Sequence, residues 1–416
     1  MSPDRPYDAG DLGSLTGMTP NEHLRIGIIC PYSLTLPGGV QGQVLGLARA
    51  LRKLGHEVRV LGPCDGAPPD TFVTPLGDSL PTAANGSIAP IAPDPAAALR
   101  TIRVLRDEEF DVLHLHEPLS PGPTLTALMM HMAPIVATFH AAGDSASYKY
   151  LNKVVRSLAE SIDHRVAVSV DARELAQRYL GEEYEILANG VELDRFEDSA
   201  IHRERAILFL GRHEPRKGLE VLLRSLRRID DPTLQVWIAS DGPETARLKR
   251  EYGDDSRVSW LGRITDAEKF DRLSRARVFC APSLGGESFG VVLLEGMAAG
   301  ATVVASSIDG YRNVATHEVN ALLVEPDDDA ALSAALIRVL ADDRLADELT
   351  RKGLERASEF SMDRLARAYV DRYRSVMASQ VPADEPSTFL QLRRVFGVIR
   401  HLGALLSAWL RRKLPR

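Results

Sequence analysis

Cysteine is scarce. The 416 residues hold three, Cys30, Cys64 and Cys280, scattered along the chain and without metal-ligand spacing. That excludes a disulfide scaffold and makes a reducing compartment the default. No apolar stretch reaches the ~18 uncharged residues of a membrane-spanning helix. Residues 1–23 are polar and rich in Gly, Pro and Asp, so no secretory leader is expected there. The histidines lack zinc spacing, and no bound metal is expected. G-x-G-x-x-G is absent, and with it the fingerprint of nicotinamide cofactors. No repeat of solenoid period is present. What remains is a chain 44% apolar and 26% charged, ordinary for a soluble globular protein. Its length implies two or three domains with sizeable cores.

Acidic residues outnumber basic ones by 57 to 50, giving −7. The excess is uneven. From Ser387 onward there are seven basic residues (Arg393, Arg394, Arg400, Arg411, Arg412, Lys413 and Arg416) and no acid, which leaves 43 basic against 57 acidic, or −14, for the rest. An acidic body argues against nucleic acid as a partner, while the tail asks for something anionic. On a helical wheel Leu392, Val395, Phe396, Ile399, Leu402, Leu406, Trp409 and Leu410 share one face, with Arg393, Arg394, Arg400, His401, Arg411 and Arg412 on the other. The pattern is that of an interfacial helix on an anionic membrane surface, or of a helix packed on its own protein. The lack of acids favours the membrane and predicts a cytoplasmic protein, peripheral on the inner face.

Between these ends, short apolar strands alternate with helical patterns. Strands are expected at Leu24–Cys30, Glu57–Leu61, Asp111–His116, Pro134–Phe139 and Arg165–Val170. A second set follows at Ala206–Leu210, Gln235–Ala239, Arg257–Leu261, Val278–Ala281, Thr302–Ala305 and Ala321–Val324. Val44, Leu47, Ala48, Leu51 and Leu54 recur at helical spacing up to Gly55. The expected class is α/β, with two doubly wound Rossmann-like domains of parallel strands facing a cleft. Residues 1–23 are expected to be a disordered extension, 24–200 the first domain and 201–361 the second. A helix over 362–379 follows, then the basic amphipathic tail 387–416. Residues 62–95, rich in Pro, Ala and Gly, are expected to be loop.

Four segments carry candidate chemistry. Gly38-Gly39 precede a helix, where backbone N–H groups and the helix dipole suit a diphosphate; taken alone the pair is a tight turn. GRHEPRKG follows a strand end, where Arg212 and Lys217 would clamp a departing diphosphate; taken alone it is a solvated basic turn. Glu287 and Glu295 stand eight residues apart after Gly285-Gly286, ~12 Å along a helix if helical throughout. One would sit at the helix mouth and the other inside, each suited to vicinal hydroxyls. A capping glutamate plus a buried structural one fits the same spacing. His140 ends the strand of VATFH, within reach of a ligand hydroxyl. His114 and His116 of VLHLHEP are read as lying on opposite strand faces, and so as not serving one site.

Together these segments resemble glycosyltransferase family 4, retaining enzymes of the GT-B fold, over about residues 24–378. The likeness is strongest to actinobacterial phosphatidyl-myo-inositol α-mannosyltransferases. The strings that carry it are RIGIICPYSLTLPGGVQ, NGS at 85–87, FDVLHLHEP, PIVATFH, EPRKG and LGGESFGVVLLEGMAAG. The resemblance implies GDP-mannose as donor and an anionic phospholipid as acceptor. It implies no tightly bound cofactor and leaves Mg2+ stimulation open. It places Gly39, Arg212 and Lys217 on the donor diphosphate, Glu287 on the sugar and Glu295 on the ribose. Ser288, Phe289 and Gly290 join the donor site, His140 lies beside the reacting sugar, and Tyr32 and Gln41 lie near the acceptor. The string departs from the pattern at Ala84 and Pro90, with no arginine until Arg100, which keeps another acceptor or nucleotide-sugar open.

Overall fold

The computed structural model describes residues 23–84, 87–141, 152–196 and 203–379. The expected N-terminal extension and the basic tail lie outside the described residues. The chain divides into two compact units. One takes residues 23–187 and 366–379, the other Ala188–Leu365.

The first unit is built on seven parallel strands. These are β1 (Arg25–Ile29), β2 (Glu57–Gly62), β3 (Val73–Pro75), β6 (Val112–His116), β7 (Ile135–Phe139), β8 (His164–Ala167) and β9 (Glu185–Ile186), in the order β3-β2-β1-β6-β7-β8-β9. Strands β6 and β7 are buried along their whole length, as helix-covered parallel strands must be. The helix Gly39–Lys53 buries Val44, Leu47, Ala48 and Leu51, the apolar positions spaced for one face. The chain runs outward from β1 to β3 and then returns to β6 beside β1. The sheet therefore switches direction between β1 and β6, where open α/β sheets form ligand crevices at their carboxyl ends.

Residues 62–95 are not loop throughout. They contain β3 and an antiparallel hairpin, β4 (Leu80–Ala84) with β5 (Ser87–Ile91). Pro and Ala mask these strands at the level of propensity; pairing to a neighbour forms them instead. The strand expected to reach Val170 stops at Ala167. Ser169 accepts from the Ala172 N–H and caps the helix Val170–Leu180.

The second unit repeats the plan with β10 (Glu204–Leu210), β11 (Gln235–Ala239), β12 (Val258–Gly262), β13 (Ala276–Ala281), β14 (Thr302–Ser306) and β15 (Leu322–Val324). Their order is β12-β11-β10-β13-β14-β15, all parallel. Its switch point lies between β10 and β13, so the loops leaving those two strands are neighbours.

The helix Met362–Ser379 starts in the second unit and passes into the first at Ala366. Ala366, Tyr369, Val370, Tyr373 and Val376 form its buried stripe. Among the described residues no helix is long and apolar enough to cross a membrane.

Candidate active site

In the second unit, β10 delivers Gly211–Glu214 and a short 3₁₀ turn, Pro215–Lys217, at its carboxyl end. The chain then turns at Gly218, whose φ is +67°. A Cβ at Gly218 would fall 1.8 Å from the Pro282 carbonyl oxygen, so only glycine lets the loop after β10 touch the loop after β13. That contact brings the charged side chains together. Lys217 Nζ donates to Glu287 Oε1 at 2.6 Å. Arg216 reaches the same oxygen at 3.2 Å and Glu214 at 3.0 Å. Arg212 Nε lies 3.3 Å from Glu214. The result is an alternating chain, Arg212–Glu214–Arg216–Glu287–Lys217. Arg212 is exposed, whereas the side chains of Lys217 and Glu287 are only 19% and 14% exposed. Charges so placed interact more strongly than on an open surface, and each is held by the other's presence.

Glu287 lies in the loop before the helix Val291–Ala298, and Glu295 inside that helix, so the stretch between them is not helical throughout. Glu295 meets Lys269 at 2.8 Å. Burial works against the charge on Lys269, but the Glu295 carboxylate outweighs it and raises the Lys269 pKa. Phe289 is 2% exposed and belongs to the unit's core, so its side chain does not face a ligand. Any donor contact from Phe289 is confined to backbone. Gly290 caps the helix at φ +93°, and the Ser288 carbonyl accepts from Asn313. A Cβ at Gly310 would fall 1.9 Å from the Glu287 carbonyl, which presses the Glu287 loop against its neighbour.

In the first unit, Gly38 is the extended cap of the helix Gly39–Lys53, and Gly39 is exposed with open space where a Cβ would stand. Gln41 is buried. It folds under Gly38 and donates from Nε2 to the Ser33 carbonyl at 3.3 Å, tying the loop rather than reaching outward. Tyr32 is half-buried and pairs as an isolated bridge with Ile91 of the hairpin; burial, then the nearby Glu117 charge, raises its phenol pKa.

His140 follows β7 and is buried. Its Nε2 lies 2.8 Å from Nδ1 of His116. His114 and His116 do not face apart, contrary to the expectation from their strand. Residues two apart on a strand project to the same side. Their rings stack with centroids 4.4 Å apart. His114 is bonded to Thr138 and to Tyr373, each at 2.7 Å, and Thr138 to Tyr369 at 2.8 Å. Glu117, at φ +48°, accepts from the backbone N–H groups of His140 and Ala141 at 2.6 and 2.7 Å. Burial raises its pKa to about 7 against the lowering effect of those two donors. Burial also lowers the pKa of His114 and His140 to about 3 and that of His116 well below its usual value, so all three rings are neutral.

Arg216 and Lys269 are site-forming residues absent from the sequence-based expectations, and His116 is one that they set aside. For Arg216 a signal existed in its adjacency to Lys217. For the other two the signal lies in long-range contact.

The same two units emerge from comparison with known proteins. A family model described as Glycosyltransferase Family 4 matches residues 37–195, and one described as Glycosyl transferases group 1 matches residues 204–342. The chain is 38% identical over 370 residues to the phosphatidyl-myo-inositol mannosyltransferase of Mycolicibacterium smegmatis, covering 86% of this chain and 95% of that one. It is 36% identical over 342 residues to the enzyme of that name from Propionibacterium freudenreichii, covering 77% of this chain and 87% of that one. Among solved structures, the sucrose-phosphate synthase of Thermosynechococcus elongatus has a TM-score of 0.68 at 22% identity over 86% of this chain and 100% of that one. Anabaena HepE in complex with UDP and glucose gives 0.65 at 16% identity, over 85% and 100%. These structural likenesses establish the GT-B fold. The chain therefore belongs to glycosyltransferase family 4 and is a glycosyltransferase.

Proposed function

We propose that this protein transfers mannose from GDP-mannose to phosphatidyl-myo-inositol with retention at the anomeric carbon. The carrying observation is the shared oxygen of Glu287: Lys217 and Arg216 both address Oε1, which leaves Oε2 for sugar hydroxyls while cations stand beside it. The mannosyl group and the acceptor are supported by the names of the relatives at 38% and 36% identity, while GDP as its carrier rests on the family resemblance. In this reading Arg212, Lys217 and the backbone at Gly39 hold the diphosphate, Glu287 the sugar and Glu295 the ribose. Ser288 and Gly290 line the donor, His140 stands by the reacting sugar, and Tyr32 and Gln41 border the acceptor.

The reaction needs little else. The C1–O bond to the diphosphate breaks as the acceptor oxygen bonds to C1 on the same face. The leaving phosphate oxygen takes the acceptor's proton. Negative charge grows on the diphosphate, and preorganised cations stabilise it at no reorganisation cost. The test mixes purified protein with a panel of nucleotide-sugars and phosphatidylinositol liposomes. Release of GDP with formation of a mannolipid is the expected result. UDP release, or GDP release without mannolipid, overturns the donor or the acceptor respectively. The uncharged hairpin around Ala84 and Pro90 makes the acceptor the arm to watch.

The tail beyond Ser387 is proposed to hold the enzyme on anionic lipid. Deleting residues 387–416 is expected to lower liposome flotation, and to do so more at low salt, because seven basic residues supply the attraction. Flotation equal to that of the full chain rejects this role.

A further inference from the structure

The His116–His140 contact has a chemical direction. Nε2 of His116 is buried and meets no hydrogen-bond partner among the described residues. A hydrogen on that atom would be a stranded donor, and buried N–H groups without acceptors are rarer than bare lone pairs. A neutral imidazole carries one N–H and one acceptor nitrogen. The proton of His116 therefore sits on Nδ1, 2.8 Å from His140 Nε2. His140 Nε2 must accept it, and the proton of His140 is left on Nδ1. Packing holds the arrangement: the His114 ring stacks on His116 with centroids 4.4 Å apart, while the His116 and His140 rings lie edge to edge, 5.1 Å between centroids and 20° between planes, so that the hydrogen bond runs in the plane of both rings. Glu117 meanwhile pins the His140 and Ala141 amides.

We infer that His116 is a positioning residue that fixes His140 as the Nδ1–H tautomer, so that His140 presents a hydrogen-bond donor to the transferred sugar and does not act as a base. The inference rests on the proposed place of His140 beside that sugar. It agrees with a reaction in which the leaving phosphate takes the acceptor proton. Two neighbours in one string thus act on the same residue, His116 by setting the ring and Glu117 by setting the backbone beneath it.

The test uses the full-length protein with ¹⁵N-labelled histidine. Long-range ¹H–¹⁵N spectra at neutral pH are expected to show His140 with its proton on Nδ1. His116→Phe is expected to give a mixture of tautomers. It should lower kcat about tenfold with the donor KM within about twofold, at the lower end of the loss seen when the partner that orients a metal-bound histidine is removed. His116→Asn places an amide N–H near the former Nδ1 and should restore most of the turnover. A His140 protonated on Nε2 in the unsubstituted protein overturns the inference. So does a His116→Asn enzyme as slow as His116→Phe when both melt like the parent. His140→Ala separates the two layers: full turnover there defeats the placement of His140 at the sugar, and the tautomer spectrum still decides the role of His116.

Discussion

Lys217→Ala is expected to lower kcat about 10²–10³-fold, the loss that follows removal of one preorganised donor to developing oxyanion charge. The fold holds the residue in place for this. Its ammonium is 2.6 Å from Glu287, on a turn that only glycine at 218 lets approach the next loop. Without Lys217, Glu287 keeps Arg216 at 3.2 Å, so the variant does not bury an uncompensated carboxylate. Its stability loss should stay well short of the ~3–5 kcal/mol of a broken buried pair. Steady-state GDP release alongside thermal melting separates the two effects. Turnover near that of the parent, with Lys217 absent, defeats the clamp. Arg212→Ala should lower kcat by a comparable factor. Lys217→Ala combined with Glu287→Gln should cost less than the product of the single losses, because the two side chains are in direct contact at 2.6 Å.

The first unit should be markedly labile in mild acid. His114, His116 and His140 are neutral in the fold and have pKa values lowered by burial, to about 3 for His114 and His140. The unfolded chain takes up their protons as pH falls below ~6.5, and the folded state does not follow. Glu117 works the other way. Its pKa is raised to about 7, so the stability it contributes is present below the usual ~4.5 and is lost as pH rises through 7. Across the window from ~6.5 to ~4.5 these four groups together lower stability as pH falls, by a net of about two protons, or roughly 3 kcal/mol per pH unit. A domain's whole stability is ~5–15 kcal/mol. Hydrogen exchange on β6 and β7 at pH 7, 6 and 5 under constant low urea reads this directly. A slope near zero sinks the expectation. Glu117→Gln should steepen it, since the opposing group is gone.

Much of this was legible in the sequence. The strands of the second unit declare themselves through short apolar cores such as ILFL and VFCA, and Gln235–Ala239 needs no adjustment at either end. The two glutamates were recognisable as a pair, but not their partners. Lys217 and Glu287 are 70 positions apart and meet only because the strand order places β10 beside β13. The hairpin over residues 80–91 was hidden by proline and alanine, whose weak strand preference is overruled by pairing. The histidine cluster needed Tyr369 and Tyr373, which arrive from 231 and 259 positions away. Local pattern cannot report such contacts.

The helix Met362–Ser379 has one last consequence, for recombination. In the chain the second unit is inserted within the first rather than appended to it, since the first is left after Leu187 and resumed at Ala366. A gene truncated at residue 187 would strip His114 and Thr138 of their tyrosine hydroxyls and Glu185 of Arg372. Chimeras that exchange nucleotide-sugar preference must therefore be spliced at two junctions, and the host's own final helix must be retained.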